Sequence, residues 1–533
     1  MKNRKSYQIS SLKNFLLLLT ITLLIWFTDD SLIDAISLPK VLVYLAFATL
    51  FCALGYKSIM VCLQKNPKLL LILIMFSLPF IIDLPLMDNF YGESQRLNGT
   101  LMFTIIAISI LFGLIIANEK RIENTLRYIN INALMISCLL VISQFLTLNS
   151  SIFDTWTKPS VQGGLNENFK SLFVSISAVL LCSTFPRSLS AIKREKFKLF
   201  SLALHLVAMT LIGSLQGFVF LLLCGAIFVL SSLSRLRAAI PFLSLVFLAS
   251  YILAIFNKSL FNYFDSSTQE RIKLSQRAIE LLESAPLLTA NVTRISESEF
   301  SRAIITTFPD RSAWIDDVHN YYLNIANTFG LVVAMVLMFI VVALILDYTK
   351  HSQILSSKAR WFGSLFISMA LVLNITIMHI VYFPIVFIIL GTYLSLRVEE
   401  RERWAKNISC SSDGIKPKSH YSSLLPAIVS VTILIQSSIG IVLISREYVL
   451  QKQVTSFNAT TTNSSASEFQ NFVLPRVQKS QDLRFIYENG RSRYLQKDCD
   501  GLWATLEVLN SRSTNHFLTK QLSKLSDNCP VPR

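Results

Sequence analysis

The chain has 533 residues, 52% of them hydrophobic and 15% charged, with a mean hydropathy of +0.52. That balance excludes a soluble globular protein and reads as an all-α polytopic membrane protein, because its apolar runs of about 17 to 28 residues match a hydrocarbon core about 30 Å thick. The net charge of +16 would suggest nucleic acid in a soluble protein; here the basic residues fall in alternate connectors beside apolar runs, where insertion places them, so no nucleic-acid partner is expected.

Lys2, Arg4, Lys5 and Lys13 precede the first apolar run and no small-residue cleavage site follows, so that span is expected to stay and the N-terminus to be cytoplasmic. Thirteen spans are predicted, near residues 14–28, 40–55, 69–87, 101–117, 130–148, 169–185, 199–214, 217–233, 239–256, 319–346, 361–379, 382–397 and 423–444. Cytoplasmic connectors then hold Lys57, Lys65 and Lys68; Lys120, Arg121 and Arg127; a group from Arg187 to Lys198; Arg235 and Arg237; Lys350, Lys358 and Arg360; and Arg397 to Lys406. The opposite short connectors carry only Lys40, Arg96 and Lys158. Residues 1–400 are expected to form the membrane core, with 257–318 a large external loop, 401–422 a cytoplasmic loop, 423–444 a final span and 446–533 an external tail or domain.

In chain order, the first candidate is Arg96 in YGESQRLNGT, the lone cation of an external connector. Next comes GGLNENFKS, where Asn166 and Asn168 can bond sugar hydroxyls or cap the following helix. Asp83, His205 and Asn374 read as isolated polar residues within spans, too few for a proton relay. In the large loop, Ser267 to Glu270 has the spacing of a capping box and Arg271 opens an amphipathic helix, expected along the outer boundary, that Pro286 stops. Arg271, Arg294, Arg311 and Arg96 are external guanidinium groups suited to a pyrophosphate headgroup, or to plain solvation.

The stretch HNYYLNIANTFG puts His319 and Asn320 at the mouth of a long apolar run. His319 is a candidate general base for a hydroxyl nucleophile. On one continuous helix Gly330 would lie three turns deeper on nearly the same face, about 16 Å in, as a notch for another helix or an isoprenoid chain. The alternative is an interfacial histidine with a packing glycine. His379, at the outer end of a later span, could join such a site. Thr455 to Ser467 reads as a tether to a small cap holding Cys499 and Cys529, a candidate disulfide in an oxidising compartment. Walker, HExxH, CxxC and GxSxG motifs do not occur.

HNYYLNIANTFG resembles the histidine motif of the bacterial O-antigen ligase and polymerase superfamily, with Val333 departing from its last position. YGESQRLNGTL, GGLNENF and QERIKLSQRAIELLESAPL are similar to three further pieces of that family, in its order. The resemblance implies a C-type glycosyltransferase-like fold of about twelve core spans plus a thirteenth, in the inner membrane, with a periplasmic C-terminus. It implies a metal-independent, inverting enzyme without cofactors, moving a glycan from undecaprenyl pyrophosphate to a glycan, lipid or protein acceptor. His319 would be the base, Arg271 would bind pyrophosphate, and Arg96, Arg311, Asn166 and Asn168 would help bind donor. Leu215 in GSLQGF stands where the family often has an arginine. A ligase or O-oligosaccharyltransferase is the first reading, a polysaccharide polymerase the second, a lipid-linked glycan transporter the rival from another class.

Overall fold

Apolar helices dominate because a backbone in hydrocarbon must satisfy its own hydrogen bonds. The computed structural model describes residues 2–29, 37–83, 100–146, 167–185, 188–212, 214–256, 266–284, 320–376, 379–409, 424–460, 469–480, 483–512 and 517–529, and no strand occurs among them. The membrane part comprises α1 (Lys2–Trp26), α2 (Ser37–Leu54), α3 (Tyr56–Lys65), α4 (Pro67–Asp83), α5 (Leu101–Asn118), α6 (Ile122–Leu146), α7 (Glu167–Thr184), α8 (Leu189–Ile192), α9 (Lys196–Ile212), α10 (Leu215–Ser232) and α11 (Ala239–Phe256). It continues with α12 (Ser266–Ser284), α13 (Tyr321–Phe329), α14 (Leu331–His351), α15 (Ser357–Val372), α16 (Phe383–Ser409) and α17 (Leu424–Thr460). Among the described residues six helices are long and apolar enough to cross a membrane, or seven if the bent pair α2–α3 counts as one span. Shorter apolar helices at Pro67–Ile81, Lys170–Thr184 and Ala239–Ser250 accompany them.

The bundle is organised around α5, buried over 94% of its apolar window. Between membrane helices there is little hydrophobic drive, so close backbone packing has to supply the attraction. The α5–α16 crossing does this with two facing glycines. A Cβ on Gly113 would stand 2.1 Å from the Ile388 carbonyl oxygen, and one on Gly391 would stand 2.2 Å from that of Ile110. Thr392 Oγ1 donates to the Gly113 carbonyl at 3.2 Å across the same crossing.

His205 on α9 is not isolated, contrary to the sequence expectation. Its Nδ1 faces Ser137 Oγ at 2.9 Å, and its Nε2 faces Ser177 Oγ and Asn130 Oδ1, each at 3.2 Å. The partners come from α6 and α7, so one fully buried imidazole ties three helices, a link invisible to spacing along any one of them.

Beyond the bundle, α17 continues to Thr460, so the expected tether is helical over its first residues. At 37 residues the helix is about 55 Å long, well over a bilayer core. Its end packs against α18 (Leu474–Val477), which follows a π-helical turn (Phe469–Val473) and leads into α19 (Leu483–Leu495), α20 (Cys499–Arg512) and α21 (Phe517–Ser526). Val454 of α17 joins Val477, Ile486, Leu502, Leu509 and Leu522 in a separate apolar core. Ser480 Oγ donates to Glu447 Oε1 at 2.5 Å, and Cys499 and Cys529 are disulfide-bonded. Arg493 is only 1% exposed; burial weakens its hold on its proton, and Asp498 at 3.6 Å works in the opposite direction.

Candidate functional site

The apolar stretch after His319 is two helices rather than one. Gly330 has φ 93° and ψ 157°, closing α13 as its C-cap and opening α14 as its N-cap. That conformation is essentially restricted to glycine, because a Cβ would clash with the flanking backbone. The expectation that Gly330 shares a helical face with His319 three turns away is therefore corrected: Gly330 is a break.

Asn320 begins α13. Its side chain is buried and accepts from the Leu323 amide at 3.1 Å, satisfying a free amide of the first turn. The Tyr321 amide donates to the Leu373 carbonyl at 2.9 Å, and Tyr322 Oη donates to the Ala370 carbonyl at 2.8 Å. The mouth of α13 is thus fastened to the end of α15 and the turn after it.

Arg271 reaches the same turn. The helix α12 begins at Ser266, so Ser267 sits inside its first turn rather than at the expected cap, and it ends at Ser284, two residues before Pro286. Ile272 of α12 is fully buried with Ile255 of α11 and beside Ile375, and Gln276 Nε2 donates to the Ile255 carbonyl at 2.5 Å. With α12 held so, Arg271 Nη1 donates to the Ile375 carbonyl at 3.2 Å. Leu373 and Ile375 are two residues apart, so the start of α13 and the Arg271 guanidinium meet within about 7 Å of chain.

A residue the sequence reading passed over completes this arrangement. Gln216, in the first turn of α10, is buried; with its amide oriented to satisfy both neighbours, its oxygen accepts from Arg271 Nη1 at 2.6 Å and Nη2 at 3.2 Å. Its nitrogen then donates to Thr376 Oγ1 at 3.2 Å. Leu215, where an arginine was expected, is 69% exposed while its neighbour faces the guanidinium. Ser171 near the start of α7 donates to the Ser214 carbonyl at 3.4 Å, drawing α7 against the same α10 end. His379 is buried after this turn, with its Nδ1 accepting from the Val381 amide at 3.4 Å. A buried glutamine beside the flagged Leu215 was the one available signal for Gln216. Nothing local marked Thr376.

Tyr321 and Tyr322 line a small apolar cavity whose wall runs past Phe383 and Phe387 to Leu337 and Leu344. His319, Arg96, Arg294, Arg311 and Asn166 lie outside the described residues, and of Asn168 and Asp83 only the helical backbone is described.

An all-helical polytopic membrane protein, with polar side chains from several segments gathered at one turn, is the class these features define. Residues 200–338 match the family described as O-antigen ligase. The match runs from α9 into α14, takes in Gln216, Arg271, Asn320 and Gly330, and supports membership of the O-antigen ligase superfamily, which points to a glycosyltransferase-like ligase or polymerase. No curated protein matches the chain.

Proposed function

We propose that this protein transfers a glycan from an undecaprenyl-pyrophosphate donor to an acceptor hydroxyl at the periplasmic face of the inner membrane, as a ligase or O-oligosaccharyltransferase. The observation that carries this reading is the meeting of Arg271 with the start of α13 on the Leu373–Thr376 turn. His319 directly precedes Asn320 in the chain, and in this reading it is the candidate base that works with the Arg271 guanidinium. Pyrophosphate is already a good leaving group, so the enzyme has to position the reactants, stabilise departing charge and accept the acceptor's proton. In this scheme Arg271 binds the pyrophosphate, His319 takes the proton, and Arg96, Arg311, Asn166 and Asn168 supply further donor contacts. The apolar cavity lined by Tyr321 and Tyr322 suits the isoprenoid chain. The chain crosses the bilayer twelve or thirteen times, with its N-terminus cytoplasmic and its C-terminal helices periplasmic; those helices are an acceptor-binding addition, which favours a ligase over a polymerase.

Arg271→Ala is expected to lower transfer by about a hundredfold, the loss of a charge-assisted phosphate contact of roughly 2–3 kcal/mol. Arg271→Lys should recover part of it. Equal transfer by all three proteins, measured with a lipid-linked oligosaccharide donor in proteoliposomes, would reject the pyrophosphate role.

A further inference from the structure

At the other end of α5, about 27 Å from the Tyr321 end, lies a second cleft that the proposed chemistry does not use. The two ends are fixed by contacts: Met102, at the start of α5, accepts from Tyr321 Oη at 3.5 Å, whereas Leu114 and Lys120 line the cleft. It lies between α3, the turn joining α5 to α6, and α16. The α2–α3 bend of 75° lays α3 across the bundle end as one wall.

Its lining combines apolar residues, among them Leu69, Leu114 and Leu394, with the polar Lys65, Asn66, Lys120 and Glu399. The charges around it are mostly spent on each other: Lys65 pairs with Glu402 at 2.9 Å, Glu399 with Arg403, and Glu119 with Lys13 and Arg121. Lys120 is exposed and has no carboxylate partner among the described residues. Asn66 is 93% buried by its 7% exposure; its Oδ1 accepts from the Leu69 amide at 3.3 Å, which leaves the amide nitrogen without a partner among the described residues and on the cleft wall.

The backbone adds an independent observation. Lys120 has φ 55°, the left-handed region, one residue past the C-cap Glu119 of α5, where its amide and that of Arg121 close the helix on Ala117 and Ile116. Glycine is the usual occupant of that position because it adopts the conformation without strain. A lysine there carries strain that its side chain does not relieve locally.

We propose that this cleft holds the phosphate of an anionic phospholipid, with Lys120 and the Asn66 amide on the phosphate oxygens and the lining leucines against the first acyl carbons. An ammonium and an amide donor suit a phosphate, and the apolar lining suits a lipid rather than a free anion. The connectors at this end are the lysine-rich ones, where anionic headgroups collect. The site shares no residue with the Arg271 cluster, so it stands or falls separately from the transfer reaction.

The test is native mass spectrometry of the delipidated full chain, titrated with phosphatidylglycerol or phosphatidylcholine. The wild type should retain one phosphatidylglycerol in preference to phosphatidylcholine, undisplaced by millimolar inorganic phosphate. Lys120→Gly should reduce that preference about fivefold while melting no lower than wild type in phosphatidylcholine, since glycine accepts the local φ. Asn66→Asp preserves the cap of α4 but replaces the donor with an anion, and should lose the preference at least as far. Should Lys120→Gly fail to fold, Asn66→Asp decides alone. Unchanged binding in both folded variants, equal retention of phosphatidylcholine, or displacement by inorganic phosphate would overturn the proposal.

Discussion

Arg271 and Gln216 are the residue pair on which the candidate site turns. Arg271 is half-buried, and Gln216 with the Ile375 carbonyl supplies neutral acceptors to its guanidinium. That neutrality is testable. Gln216→Glu keeps the shape and tightens the contact, but sets a carboxylate against the guanidinium; donor use should fall about tenfold with folding retained, the worth of about 1.4 kcal/mol. Gln216→Ala should instead cost roughly 1–3 kcal/mol of stability, read as a lower melting temperature in detergent. Arg271 stood out in the sequence because it falls in an amphipathic segment expected in an external loop. Gln216 did not, since its partners Arg271 and Thr376 are 55 and 160 positions away and only the folded chain joins them.

At the scale of elements, Gly330 shows where reading by hydropathy stops. An apolar run with one glycine scans as a single span, and a glycine in a span scans as a packing notch, whereas a positive φ leaves no mark in composition. The two readings predict opposite signs. In a straight helix Gly330→Ala would stabilise by up to about 1 kcal/mol; at φ 93° and ψ 157° it should destabilise by about 1–3 kcal/mol. Thermal unfolding of the purified variant reads the sign directly. The α5–α16 crossing was likewise hidden, because Gly113 and Gly391 are far apart in sequence and neither carries a motif. By contrast the amphipathic α12 was legible from apolar spacing, although the helix already includes Ser266, ahead of the expected cap at Ser267.

For the whole molecule, composition and charge alternation conveyed a polytopic helical membrane protein, and the O-antigen ligase match over residues 200–338 agrees with the resemblance seen in its motifs. The C-terminal helices were less legible: apart from two cysteines they hold no pattern, and their core depends on α17 extending far past its apolar part to present Val454. The Cys499–Cys529 bond closes a separation of 30 residues, which the chain-entropy argument values at about 3–4 kcal/mol. Cys499→Ser should therefore lower the unfolding temperature of these helices, followed by limited proteolysis, and leave the bundle around α5 unaffected. The central claim concerns the opposite end of α13: that its anchored start presents a proton acceptor beside a fixed cation. The most direct test is His319→Ala in proteoliposomes with a lipid-linked oligosaccharide and an acceptor. The account predicts transfer reduced by at least about a hundredfold, within the usual range for loss of a general base, with unchanged melting; transfer at the wild-type rate would contradict it.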